Sequence, residues 1–302
     1  MKLTRRELLG AAAAATIMPI LQAARPQGYL IENTTHLFAG DARFPYHPTG
    51  TYKSQRTLTL EMYTAFAKEA KLDHAVIVHS EVYQDDHRYL EYAFDNEFSP
   101  GFFKGTCLFD PIDPQTPARF EELVRRRPNR IVGMRIHVMQ RAGVPPSTKP
   151  PMRNRDLHSE GMKNVWRKTA DLGLLVQMHF TPRHTPGVRA LAMEFRDAPL
   201  LIDHMAEHRM GTPEEYEEVI RLAELPNAWM KVSNVRSEDK PLVRRVYDAF
   251  GPDRLVWGSY GSSMTAFDRS IALIDELFDF ASEAERRKIR GGNAMKLFKF
   301  PS

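Results

Sequence analysis

IVGMRIHV at residues 131–138 and LLVQMHF at 174–180 decide the fold. Each is a short apolar run with polar, histidine-bearing positions near its end, and amphipathic segments with helix caps separate such runs along the chain. Working outward, the others are GYLIENTTHLF (28–38), HAVIVHS (74–80), FFKGTCLFD (102–110), PLLIDHM (199–205), NAWMKVSN (227–234) and RLVWGSY (254–260). Between them, Thr116-Pro117 and Thr212-Pro213 place an N-cap threonine before a first-turn proline. Thr212 with Glu215, and Ser282 with Glu285, have capping-box spacing. Met62, Phe66 and Ala70 recur at helical spacing, as one buried stripe would. Strands alternating with helices build a parallel sheet, and eight repeats in one chain of this size fit an α/β (β/α)₈ barrel. A doubly wound open sheet shares the pattern. The two differ in where polar residues fall: a barrel gathers them at the C-terminal ends of many strands, an open sheet at one switch point.

Counted at period two, the inward positions end in Thr34 and His36, His79, Arg135 and His137, Gln177 and His179, His204, Lys231 and Ser233, and Tyr260. One such histidine alone reads as a packing residue. So many buried polar ends are costly unless they bond each other or a ligand, so a shared pocket is expected. Two other motifs carry less. In HMAEH (204–208) the i,i+4 histidines would share an ion only on a helix, and His204 reads as a strand end. DPIDP (110–114) reads as turn chemistry rather than a carboxylate pair.

The N-terminus opens MKLTRRELLGAAAAATIMPILQAARPQG, a basic start, an apolar run from Leu8 to Leu21 and small residues at Ala23 and Ala24. That is the pattern of an export signal over residues 1–24, with residues 25–302 as one barrel domain. TRRELL predicts the twin-arginine export machinery as a partner and a periplasmic or secreted location. The apolar run is shorter than the roughly 20 residues that span a bilayer, so no membrane association is expected of the mature chain. Loss of Lys2, Arg5, Arg6 and Glu7 with that segment lowers the formal charge from +4 to +2. Arg125, Arg126 and Arg127 form the one basic block, on a helix face, and nucleic-acid binding has no support. Cys107 is the single cysteine, which excludes an internal disulfide and a cysteine-based metal site. GVPPSTKPP (143–151) is the best candidate for an inserted loop.

IENTTHLFAGDARFP resembles the first strand of the amidohydrolase-related barrel hydrolases, which carries Asp-x-His-x-His and a later Phe-Pro. IVGMRIH is similar to their fourth strand, LGLLVQMH to the fifth with its histidine, LLIDHM to the sixth, NAWMKVS to the seventh with its lysine. RLVWGSYG resembles the eighth strand, normally Gly-Ser-Asp-Trp-Pro, and RGGNAMKLFKF the closing helix. The resemblance implies one divalent ion, zinc or manganese, held by two first-strand histidines, the fifth-strand histidine and the eighth-strand aspartate. It also implies a sixth-strand histidine that polarises the substrate. His36, His179 and His204 match, whereas Thr34 and Tyr260 stand where a histidine and the aspartate would be. His36 and His179 are then an incomplete metal pair, which Glu207 or His208 would have to complete, and metal-independent chemistry is an equal expectation.

The reading that follows is hydrolysis of a small anionic lactone or related cyclic ester, as in the lactonase branch of that family. Arg135 would bind the substrate carboxylate within a lining completed by His137, Gln177 and Lys231. His179 and His204 would polarise the carbonyl, Tyr260 would relay a proton, and His36 is the water-activating base left by elimination. The alternatives are a metal-dependent decarboxylase of an aromatic acid and an inactive barrel that binds small molecules.

Overall fold

The computed structural model describes residues 25–54 and 57–301; the expected export segment, residues 1–24, lies outside the described residues. The strands are β1 (Ile31–Thr35), β2 (His74–Val78), β3 (Phe103–Cys107), β4 (Ile131–Val138), β5 (Leu175–Phe180), β6 (Leu200–Ile202), β7 (Ala228–Val232) and β8 (Leu255–Trp257). Each pairs in parallel with the next, giving one eight-stranded sheet in the order β1 to β8. Around it lie α1 (Leu60–Glu69), α2 (Arg88–Asp95), α3 (Thr116–Arg126), α4 (Glu160–Asp171), α5 (Thr185–Glu194), α6 (Pro213–Arg221), α7 (Lys240–Phe250) and α8 (Met264–Leu277). This is the expected (β/α)₈ barrel.

The capping boxes at Thr212 and Ser282 form as the sequence indicates. Two local expectations change. Gln115, not Thr116, caps α3, because the Thr116 hydroxyl instead donates to Asp110 O at 2.6 Å. Met62 is 52% exposed, whereas Phe66 and Ala70 are buried as expected, together with Leu60, Tyr63 and Ala67. β4 and β5 end where their runs do, at Val138 and Phe180, and the other six strands end two or three residues before theirs.

Side chains alternate between two cores. Val176 and Met178 of β5 face the helices, while Leu175 joins Ile31, Val132, Leu201 and Val256 inside the barrel. Met295, Leu297 and Phe298, from the short C-terminal helix Asn293–Leu297 and the residue after it, close that interior layer from below. In β4 the register shifts opposite Gly105 and Thr106. Gly133 sits there against Leu175, where a Cβ would lie 2.1 Å from the Leu175 carbonyl oxygen. The shift turns Arg135 and His137 inward.

Among the described residues no backbone ladder joins β8 to β1. Side chains seal that seam. Asn33 Nδ2 donates to Trp257 O, the Tyr260 N–H donates to Thr34 Oγ1 at 2.9 Å, and the buried Glu32 carboxylate bridges the two strands. Glu32 accepts from the N–H groups of Thr34 (2.7 Å) and Ser259 (2.9 Å), and from the hydroxyls of both.

Glu32→Ala leaves the buried Thr34 N–H and the part-buried Ser259 N–H without an acceptor, at about 1–3 kcal/mol for a buried group and less for a part-buried one. The expected loss is about 3 kcal/mol in urea unfolding followed by circular dichroism. A loss below about 1 kcal/mol would show that the seam is held by other contacts.

Candidate active site

Above the apolar layer the barrel holds a charged one. Asp203, immediately after β6, is fully buried. Its carboxylate accepts from Arg135 Nε of β4 at 2.8 Å and from Gln177 Nε2 of β5 at 2.8 Å, and it pairs with Lys231 Nζ of β7 at 2.9 Å. Lys231 also donates to Asn33 O of β1 at 2.8 Å. Burial alone would raise the Asp203 carboxyl; Lys231 and Arg135 overturn this and hold it well below the usual carboxylate range. Arg135, Gln177 and Lys231, expected to line the substrate site, thus meet on one carboxylate at its floor. Arg135 Nε, Gln177 Nε2 and Lys231 Nζ are held by Asp203, while Gln177 Oε1 is buried without a hydrogen-bond partner.

The next layer outward is the reactive one. Arg135 Nη2 lies 3.2 Å from His179 Nδ1, and His179 Nε2 lies 2.8 Å from Glu207 Oε1. An arginine only donates, so Nδ1 must accept and the imidazole proton sits on Nε2, donating to Glu207. His204 packs edge-on to His179, with ring centres 5.1 Å apart, and stacks on Tyr260 at 5.0 Å. His204 Nδ1 meets Ser233 Oγ at 2.7 Å and Nε2 meets the Tyr260 hydroxyl at 2.6 Å. Burial, with lesser contributions from neighbouring charges, holds His204 well below the usual imidazole value and hence neutral, and it raises the Tyr260 phenol above its ordinary value.

A single left-handed turn makes this arrangement. His204, Met205, Ala206 and Glu207 have φ of 50°, 51°, 54° and 49°, and none is glycine. At roughly 1–2 kcal/mol per residue, such a turn stores on the order of 4–8 kcal/mol. The reversed hand brings both His204 and Glu207 to the pocket. His208 leaves it, pairing with Asp239 at 3.0 Å, so the two histidines of HMAEH diverge as expected.

His36 donates from Nδ1 to Val78 O at 2.7 Å, which leaves the lone pair on Nε2. Burial and the charge of Arg135 push its pKa down to about 3. It is a reluctant proton acceptor, although its Nε2 is open, and the Glu207 carboxylate is a second candidate for the base. His137, neutral through burial, packs 5.2 Å from the His179 ring. His79 is a packing residue, bonded to Gln84 O at 2.9 Å and set against His87. Asp110 accepts the Ile112 N–H in a turn and anchors the buried Arg155 at 2.6 Å. Arg155 in turn binds the carbonyls of Ser147 and Lys149, fastening the 143–151 loop.

The expected metal pair was His36 with His179; the structure instead gathers His179, His204 and Glu207, with ligand atoms within 4.8 Å of one another. Three such donors and a water would satisfy a zinc ion. Their hydrogen bonds oppose it. An ion on His179 Nε2 would move the proton to Nδ1, against the Arg135 donor that Asp203 fixes in place. Thr34 is no ligand either, since its hydroxyl is spent on Glu32 and on the Tyr260 N–H. As bonded here the set does not fit an ion.

Comparison with known proteins places this geometry. The amidohydrolase family's sequence model matches residues 34–300, and the chain belongs to that family. The L-fucono-1,5-lactonase of Burkholderia ambifaria is 28% identical over 138 residues, 39% of this chain and 48% of the relative, so the match spans about half of that protein. An amidohydrolase of Burkholderia multivorans with bound zinc superposes with a TM-score of 0.71 at 19% identity, covering 91% of this chain and 100% of the other. A probable 2-pyrone-4,6-dicarboxylic acid hydrolase of Acinetobacter baumannii with citric acid bound gives 0.66 at 18% identity, covering 90% and 99%. At those identities the two structures speak for the fold.

Asp203 is ionised and paired when folded, so its contribution to stability is full above the unfolded carboxyl pKa of about 4 and is lost as pH falls below it. Asp203→Asn is destabilised at pH 7 and lacks that acid loss. The stability gap between wild type and Asp203→Asn should narrow from pH 4 to pH 2, measured by thermal unfolding. A gap that stays constant or widens would contradict the assignment.

Proposed function

We propose that this amidohydrolase-family chain hydrolyses a small lactone or related cyclic ester without a metal ion. The observation that carries the reading is the chain of contacts from Asp203 through Arg135 and His179 to Glu207. It fixes a part-exposed carboxylate opposite the Tyr260 hydroxyl, across the His179 and His204 rings. Glu207 takes a proton from water as the water oxygen adds to the carbonyl carbon. With Ser233 donating to His204 Nδ1, and His204 Nε2 donating to Tyr260, the phenol proton is free to bond the developing oxyanion. The ring C–O bond then breaks, the leaving oxygen takes the proton held by Glu207, and a hydroxy acid departs. A carboxylate on the substrate, expected from the cationic strand ends, has less support because Asp203 engages both Arg135 and Lys231, leaving that group one net positive charge. We also propose that residues 1–24 direct export to the periplasm by the twin-arginine machinery, a reading supported by TRRELL and the apolar run after it.

The test is proton release from a panel of five- and six-membered lactones. Glu207→Gln should lower kcat by on the order of 10²–10⁴-fold, and His179→Ala should abolish turnover, both with an unchanged circular dichroism spectrum. Exhaustive chelation should leave wild-type activity intact. A panel with no substrate, an active Glu207→Gln, or activity that chelation removes and zinc restores would each overturn the reading.

A further inference from the structure

Beside the reactive groups, between β1, the segment after it and the end of β8, lies a pocket of about 190 Å³. Thr34, His36 and Tyr260 form its inner wall and Phe38, Tyr52 and Leu58 its outer one. It occupies the side of the barrel where Thr34 and Tyr260 replace the family's histidine and aspartate. Three larger clefts, of about 540, 560 and 650 Å³, lie on the barrel flank and at its opposite end, away from the reactive layer. Tyr52 and Tyr260 are respectively 46% and 44% exposed although both border the cavity. Accessible aromatic side chains that border a cavity continuous with convergent polar groups mark a ligand site.

The polar atoms of this pocket are already engaged. Thr34 is held by Glu32 and the Tyr260 N–H, and Thr35 donates to the Tyr63 hydroxyl at 2.9 Å. The Tyr52 hydroxyl meets Ser80 Oγ at 3.2 Å, and Ser54 bonds Tyr46. Among the described residues, what remains for side-chain hydrogen bonding is His36 Nε2, the Ser262 hydroxyl and the Tyr260 phenol proton, which the reaction directs to the oxyanion; the other side-chain surface is ring and aliphatic carbon. A polyhydroxylated ring would lose water from more hydroxyls than the pocket can bond. An apolar cavity of about 150 Å³ is known to take one benzene, so this one holds a six-membered ring with little to spare.

We propose that the pocket is a subsite for a single apolar six-membered ring carried by the substrate beside the ester group that reacts. The substrate class is then an aryl-substituted lactone rather than a sugar lactone. The inference rests on the lactone reading for the reaction and on the pocket alone for the ring.

Two measurements separate those supports. The first is binding of benzyl alcohol, followed by saturation-transfer NMR in the wild type, in Leu58→Trp, which fills the pocket, and in Tyr52→Ala. The second is the ratio of kcat/KM between a phenyl-substituted and a methyl-substituted γ-butyrolactone, with gluconolactone alongside. The wild type should bind benzyl alcohol and favour the phenyl lactone by about tenfold or more. Leu58→Trp should lose the binding and bring the ratio to about one. If Leu58→Trp does not fold, Tyr52→Ala carries the same expectation with a partial loss. Benzyl alcohol binding that Leu58→Trp abolishes, with no lactone hydrolysed, would leave the subsite standing and remove the reaction. Lactones hydrolysed with no phenyl preference, or gluconolactone turned over best, would overturn the subsite and leave the reaction.

Discussion

The mouth of this barrel is organised by one buried anion. Asp203 draws Arg135, Gln177 and Lys231 from three strands onto a single carboxylate, and through Lys231 it reaches Asn33 on a fourth. A buried carboxylate without partners would cost several kcal/mol, and so would either buried cation. The group is thus stable only as a whole, and it fixes the height and direction of every side chain above it. His179 has its tautomer because Arg135 faces it, and Arg135 faces it because Asp203 holds the guanidinium by Nε.

That dependence explains why a site so rich in ionisable groups offers little unpaired positive charge. The cations are consumed below the reactive layer, and His36, His137 and His204 are kept unprotonated by burial. What reaches the pocket is one carboxylate, Glu207, and hydroxyl or imidazole N–H donors. The left-handed turn at 204–207 is the device that brings Glu207 there, and its strain is sustained by the rigid layer beneath. Backbone held in such a region, with no glycine to relieve it, is characteristic of functional sites.

Much of the fold and part of the site were legible in the sequence. The eight apolar runs, the two capping boxes and the inward turn of Gln177, His179 and Lys231 follow from periodicity and local chemistry, whereas Arg135 turns inward through the register shift in β4. Asp203 was within reach. In β6 Leu201 faces inward, so a count of two lands on Asp203, and His204 enters the pocket only because the chain reverses hand. Glu207 is visible in the sequence only as one of two residues that could complete a metal site with His179; the turn that brings it there is not, because no propensity predicts four consecutive non-glycine residues in left-handed geometry. Glu32 occupies the aspartate position of the first-strand pattern, but its partner Ser259 lies 227 residues away. A single sequence carries no signal for that contact. For the same reason Arg135 and Lys231 read as free cations, since charge is visible in sequence and its neutralisation is not.

The seam between β8 and β1 has a consequence for how the chain folds. Its contacts, Asn33 with Trp257 and Glu32 with Ser259, join positions 224 and 227 residues apart, so they are among the last to form when loop closure governs order. Until then β1 and β8 are bare strand edges, the template on which chains pair with their neighbours and aggregate. A charged glutamate on the unfinished edge discourages that pairing while the edge stands open, and once the barrel closes the same carboxylate becomes the clasp. One side chain thus guards the intermediate and fastens the product.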